Sequence, residues 1–263
     1  MRKIAYSAYR LFESLLTDGM QTTLQKVLYR VKNKKLLVKE KYFQGENRHP
    51  DLVYTSWRKK NRIERPELEK MSQASLRLGY RPLISIIIPT YKPGILYLKR
   101  AVSSIQNQRY PDWQLCICDD GSGDAESERI LKEFEKNDGR IECRFEAKNG
   151  GIVSASQKAA ELARGEFIAF MDQDDLLSED ALYRVAEKLN EDPSLDLIYS
   201  DNDKVDLNEA HREVYFKPDF SPDEFFCHNY IGHLSVLRKK YSTSSAASSR
   251  VLTGPRTSRS SSG

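Results

Sequence analysis

Between residues 83 and 200 the chain alternates between two hydrophobic textures. Short, continuous, β-branched apolar runs give way to segments whose apolar positions recur every three or four residues. The run LISIIIP (83–89) predicts a buried parallel strand. Leu96, Leu98, Ala101, Val102 and Ile105 then predict a helix over 95–107. The same reading gives strands at 113–118, 141–146, 166–171 and 196–200, and helices at 125–137, 151–163 and 179–190. Alternation at this spacing predicts an α/β fold, a doubly wound and mostly parallel sheet with helices on both faces. In such sheets ligands sit beyond the carboxyl ends of the strands.

The flanks have other patterns. In residues 1–42, Leu11, Leu15, Leu16, Leu24, Val27, Leu28 and Val31 recur at helical steps among basic residues. A basic amphipathic helix suits an anionic membrane surface, or it packs on the body with its charges in solvent. Residues 43–81 are polar, with Tyr54 and Trp57 as anchors and Pro66 opening a short helix. A strand over HLSVLRKK ends the body, and the last 22 residues, with nine Ser and three Thr, show no apolar period. The expected organisation is a basic helical arm over 1–81, a body over 82–240 and a Ser-rich tail over 241–263. The abrupt change after Tyr241 predicts a disordered or foreign segment, left by a truncation, a frameshift or a cloning remnant.

Charge divides along the same lines. Formal charge is +11 over residues 1–81, −13 over 82–237 and +6 over 238–263, for a net of +4. An acidic body excludes the clustered Lys and Arg that nucleic acid requires. Hydrophobic residues at 39% and charged residues at 30% exclude wholesale disorder, and no apolar stretch reaches the ~20 residues of a membrane helix. Cys116, Cys118, Cys143 and Cys227 form no CxxC pair, which predicts reduced thiols rather than a metal site.

The chemistry lies at the predicted strand ends. They read Pro89-Thr90-Tyr91-Lys92, Asp119-Asp120-Gly121-Ser122, Lys148-Asn149-Gly150-Gly151, Met171-Asp172-Gln173-Asp174-Asp175 and Asp201-Asn202-Asp203. Each has a plain structural reading as a polar turn or a helix start. Carboxylates gathered at one sheet edge, however, repel one another unless a cation or donor groups compensate. Hard oxygen ligands of this kind suit Mg²⁺ or Mn²⁺.

The series PTYK, CICDDGSGD, KNGG and GEFIAFMDQDD, followed by YSDNDK, YFKPDFSPD and HNYIGHLSVLR, resembles glycosyltransferase family 2, enzymes of GT-A fold. The resemblance runs from about Pro82 to Lys240 and is strongest to the bacterial surface-polysaccharide, rhamnosyltransferase-like branch. It implies an inverting, metal-dependent transferase that moves sugar from a UDP- or dTDP-sugar to a glycan or lipid-linked acceptor. Such an enzyme works in the cytoplasm, at the inner face of the plasma membrane. It also implies roles. Asp172 and Asp174 match the metal-holding DxD motif, with Asp172 facing the ribose and Asp174 the better ligand. Asp119 matches the acid that accepts the base N3–H, with Asp120 as the fallback. Pro89, Thr90 and Tyr91 match the base-lining segment, and Asn149, Gly150 and Gly151 the turn beside the nucleotide. Asp201 and Asp203 are candidates for the donor sugar. Gln173 and Gln157 depart from the branch's commoner residues.

The family's catalytic base is an acid some ninety residues beyond the DxD motif, which falls past the end of this chain, and no Asp or Glu follows Glu224. A nucleotide-sugar-binding module without turnover is therefore the alternative expectation. An NAD-binding fold is disfavoured, because no GxGxxG follows the first strand.

Overall fold

The computed structural model describes residues 50–206 and 209–242. The amphipathic segment expected over 1–42 and the Ser-rich tail beyond Ser242 lie outside the described residues. Two compact units are present. One comprises 62–204 and 214–242, and the other takes in 50–61 and 205–213.

The larger unit is built on a six-stranded sheet. Its strands are β1 (Ile84–Thr90), β2 (Trp113–Asp119), β3 (Ile141–Phe145), β4 (Phe167–Phe170), β5 (Leu197–Tyr199) and β8 (Ser235–Arg238). Their order is β3-β2-β1-β4-β8-β5. The helices between them are α3 (Ile95–Gln106), α4 (Ala125–Asn137), α5 (Ile152–Leu162) and α6 (Ala181–Glu191). Each expected strand and helix of residues 83–200 is present, with ends shifted by a residue or two. The sheet is parallel from β3 to β4, but β8 runs antiparallel to both β4 and β5. Strands β6 (Asn202–Val205) and β7 (His211–Tyr215) form a small sheet of their own.

Side-chain alternation along the strands divides the core between the two faces. Ile84, Ile86 and Ile88 pack with Leu98, Val102, Trp113 and Leu115 on one side. Ile87, Cys116, Cys118 and Ile168 pack with Ala155 and Ala159 of α5 on the other. Small alanines let α5 lie close against the sheet. Burial pushes the Cys116 and Cys118 thiols up to about 12 and about 11, so both are inert packing groups, as their place in an apolar run predicts.

Packing does not follow the charge boundary. Helix α2 (Arg65–Ser75), opened by Pro66 as expected, buries Leu68, Met71 and Ser75, and Leu68 and Met71 join the larger core. The expected border at Pro82 thus moves back to Arg62. A helix with a mostly basic neighbourhood can still present three apolar or small positions at i, i+3 and i+7 to a core. Trp57, expected to anchor its segment, is 41% exposed on α1 (Pro50–Asn61), where its ring stacks on Tyr54.

Candidate active site

Four strand ends meet at the carboxyl edge of the sheet. Thr90 and Asp119 are register partners on β1 and β2, and the Asp120 N–H donates to the Thr90 carbonyl at 2.8 Å. Asp119 is buried and its carboxylate is already engaged. It accepts from the Ser122 N–H at 3.1 Å, from the Ser122 hydroxyl and from Thr90 Oγ1 at 3.4 Å. Ser122 Oγ in turn accepts the Lys92 N–H at 2.7 Å, which joins the β1 and β2 loops.

Asp120 is buried as well, but it is the one of the two acids that lines the cleft at this edge. Its two oxygens accept the N–H groups of Gly150 (2.9 Å) and Gly151 (2.7 Å), the residues just before α5. The carboxylate thus sits at the N-terminal end of that helix, where the helix dipole favours a negative charge. The loops approach so closely that a Cβ at Gly121, whose φ is +70°, would lie 2.6 Å from the Lys148 carbonyl carbon. Glycine is needed there on both counts.

The turn after β4 carries the acidic run. Asp172 and Asp175 face His233, which precedes β8. His233 Nε2 lies 3.3 Å from Asp172 Oδ2, and Nδ1 lies 3.6 Å from Asp175 Oδ2 and 3.2 Å from the Phe170 carbonyl oxygen. Burial opposes a charge on this imidazole, but the Asp172 hydrogen bond and the two carboxylate charges outweigh it, and its pKa is pushed up to about 9. The same hydrogen bond holds Asp172 below the usual carboxylate range, while burial pushes Asp175 above it. One ligand atom from each of Asp172, Asp175 and His233 falls within a 4.8 Å group, the geometry of a small cation site. Asp174, expected as the better ligand, is exposed and stands outside that group.

Together these ends enclose an open cleft of about 320 Å³, lined by Pro89, Thr90, Tyr91, Asp120, Asn149, Ile152, Ala155, Asp172, Gln173 and Asp174. Gln173 Oε1 accepts the Tyr91 N–H at 3.1 Å and so ties the acidic turn to the β1 loop. Of the candidates named from sequence, Pro89, Thr90, Tyr91, Asp120, Asn149, Asp172 and Asp174 line the cleft, and Asp119, Gly150 and Gly151 do not. Asp201 and Asp203 do not line it. Asp201 accepts the Lys217 N–H at 2.8 Å, and Asp203 lies on β6. His233, Asp175 and Lys217 were not singled out from sequence. His233 in HNYIGHLSV has no local signal, because its partners lie about 60 residues upstream.

The chain is 38% identical over 168 residues to the "Uncharacterized protein y4gI" of Sinorhizobium fredii, covering 64% of this chain and 18% of that protein. It is 33% identical to the O-antigen biosynthesis protein RfbC of Myxococcus xanthus, covering 64% of this chain and 13% of that one. This chain thus spans less than a fifth of the length of either relative. The structure of S. aureus TarS 1-349 in complex with UDP-GlcNAc superimposes with a TM-score of 0.50 at 21% identity, over 60% of this chain and 46% of that one, a likeness of fold. Residues 85–243, which contain every side chain that lines the cleft, match the family described as Glycosyl transferase family 2, and the chain belongs to that family.

Proposed function

We propose that this chain binds a UDP- or dTDP-sugar in the cleft and belongs to an inverting, metal-dependent transferase that builds a bacterial surface polysaccharide at the cytoplasmic face of the membrane. The observation that carries the reading is the convergence of Tyr91, Asp120, Asn149 and the Asp172–Asp174 turn on one cleft, with His233 behind the acids. The volume lies at the lower end of the range for small-molecule pockets, about 300–1,000 Å³. Tyr91, 44% exposed, offers a flat face to a base. Asp120 accepts one amide on each oxygen, which leaves lone pairs for a base N–H. Because Asp120 lines the cleft and Asp119 does not, Asp120 is the better reader of the base.

The donor set suits Mn²⁺ or Mg²⁺. Two carboxylates already gather around a positive charge, the imidazolium of His233, and a divalent cation can take the place of its proton. Asp172 and His233 would hold the ion, with Asp174 or Asp175 completing the set. When bound, it supplies Lewis-acid neutralisation of the departing diphosphate. The chain's own residues bind and orient the donor. In transfer, the bond from the sugar C1 to the diphosphate oxygen breaks, a bond to the acceptor hydroxyl forms, and the hydroxyl proton goes to a general base.

One observation favours the second reading, donor binding without turnover by this chain. Of the three acids that line the cleft, Asp120 and Asp172 are already engaged by amides and by His233. Calorimetry with UDP separates the parts of the proposal. UDP is expected to bind at least about tenfold more tightly with Mn²⁺ than with excess chelator, a difference of about 1.4 kcal/mol. Asp172→Asn should remove that difference. Equal affinities in the wild-type chain would overturn the metal assignment, and transfer to a glycan acceptor would overturn the binding-only reading.

A further inference from the structure

We propose that Lys217 is a positioning residue that sets His233 beside Asp172 by gripping the main chain on either side of Gly232. The inference rests on the reading of Asp172 and His233 as cation ligands. Lys217 is half-buried in the segment that follows β7. Its ammonium donates to two main-chain oxygens, those of Ile231 and, at 2.7 Å, His233. Both belong to the loop that delivers His233 to the acidic turn. The loop is anchored by Tyr230 and Ile231, each 3% exposed, and turns at the glycine that follows them. Gly232 has a φ of +48°, and its N–H reaches Asn229 Oδ1 at 3.4 Å.

Lys217 itself is held from the other side. Asp201 Oδ1 accepts its N–H at 2.8 Å. The next carbonyl, that of Pro218, accepts the Tyr199 hydroxyl at 2.8 Å, and the Ser221 N–H donates to the Tyr230 hydroxyl at 2.8 Å. The 217–221 segment is thus fixed to the end of β5 and to a buried tyrosine. A lysine on a fixed base, with its charge spread over two carbonyls, makes charge-assisted bonds worth about twice neutral ones. It converts a glycine-containing loop into a seat for one imidazole. Asp201, expected to serve the donor sugar, acts in this arrangement as the foot of that strut.

The test uses Mn²⁺ alone, with binding followed by electron paramagnetic resonance in the full chain. Lys217→Met should weaken Mn²⁺ binding about tenfold, His233→Ala should weaken it at least as much, and the double variant should be no weaker than His233→Ala. Binding of UMP in chelator should not change, because Tyr91 and Asp120 directly follow β1 and β2 and make no hydrogen bond to Lys217. Lys217→Arg, which keeps the charge and the donors, should recover part of the loss. If Lys217→Met does not fold, Lys217→Gln supplies the same comparison. Unchanged Mn²⁺ affinity in Lys217→Met, beside a weakened His233→Ala, would overturn the strut alone. Additive losses in the double variant would also overturn it, since a general structural role adds where an action through His233 does not. Unchanged affinity in His233→Ala would overturn the ligand reading and the strut with it.

Discussion

Adjacent acids at the end of β2 do different work because only one of them faces the cleft. Asp119 satisfies Ser122 and Thr90, and Asp120 satisfies Gly150 and Gly151 while it lines the cleft. Either Asn substitution replaces a charged acceptor by a neutral one and should cost about 1.5–3 kcal/mol of stability, read by urea denaturation. The two should separate in binding. At equal folded fraction, Asp119→Asn is expected to leave UDP affinity nearly unchanged, and Asp120→Asn to weaken it tenfold or more. The reverse pattern would return the base-reading role to Asp119. The sequence places both acids at the right strand end, because neighbours on a strand end share an address. Which of the two lines the cleft depends on the 148–151 turn, whose close approach is encoded by Gly121 and not by either acid. His233 is illegible for a related reason, since its meaning comes from residues that only the sheet brings near.

At the scale of elements, period and length were enough to predict β1 to β5 and α3 to α6. They could not give direction. The run HLSVLRKK reads as a strand, but its antiparallel entry between β4 and β5 follows from how the 200–234 segment returns to the sheet. Helix α2 shows the opposite failure. Its place within the basic first 81 residues assigns it to the arm, whereas three inward positions place it in the body. Leu68→Ala and Met71→Ala should therefore each destabilise the body by about 2–4 kcal/mol, measured by chemical denaturation. A loss below about 0.5 kcal/mol in both, as expected of surface positions, would restore the border at Pro82.

For the whole chain, the sign of the charge changes between the first 81 residues and the body. We expect the basic segment to bring the chain to anionic vesicles, with the acidic body held off the surface by repulsion. Co-sedimentation with phosphatidylserine vesicles should be strong at low salt and fall as the Debye length shrinks from about 30 Å at 0.01 M to about 8 Å at 0.15 M. Absence of binding at low salt would assign residues 1–42 to packing. No helix among the described residues is long and apolar enough to cross a membrane.

Strand β1 is paired on both sides, by β2 and by β4, and Ile84, Ile86, Ile87 and Ile88 have no solvent exposure. Its amides should exchange with deuterium only through global unfolding, whereas those of the 229–233 loop should exchange through small local openings. The cleft therefore has one stiff wall, carrying Pro89 and Thr90, and an acidic turn backed by His233 of the 229–233 loop. A nucleotide seated against the stiff wall would leave when that turn loses its backing, so its residence time should track the opening rate of the loop rather than the stability of the sheet.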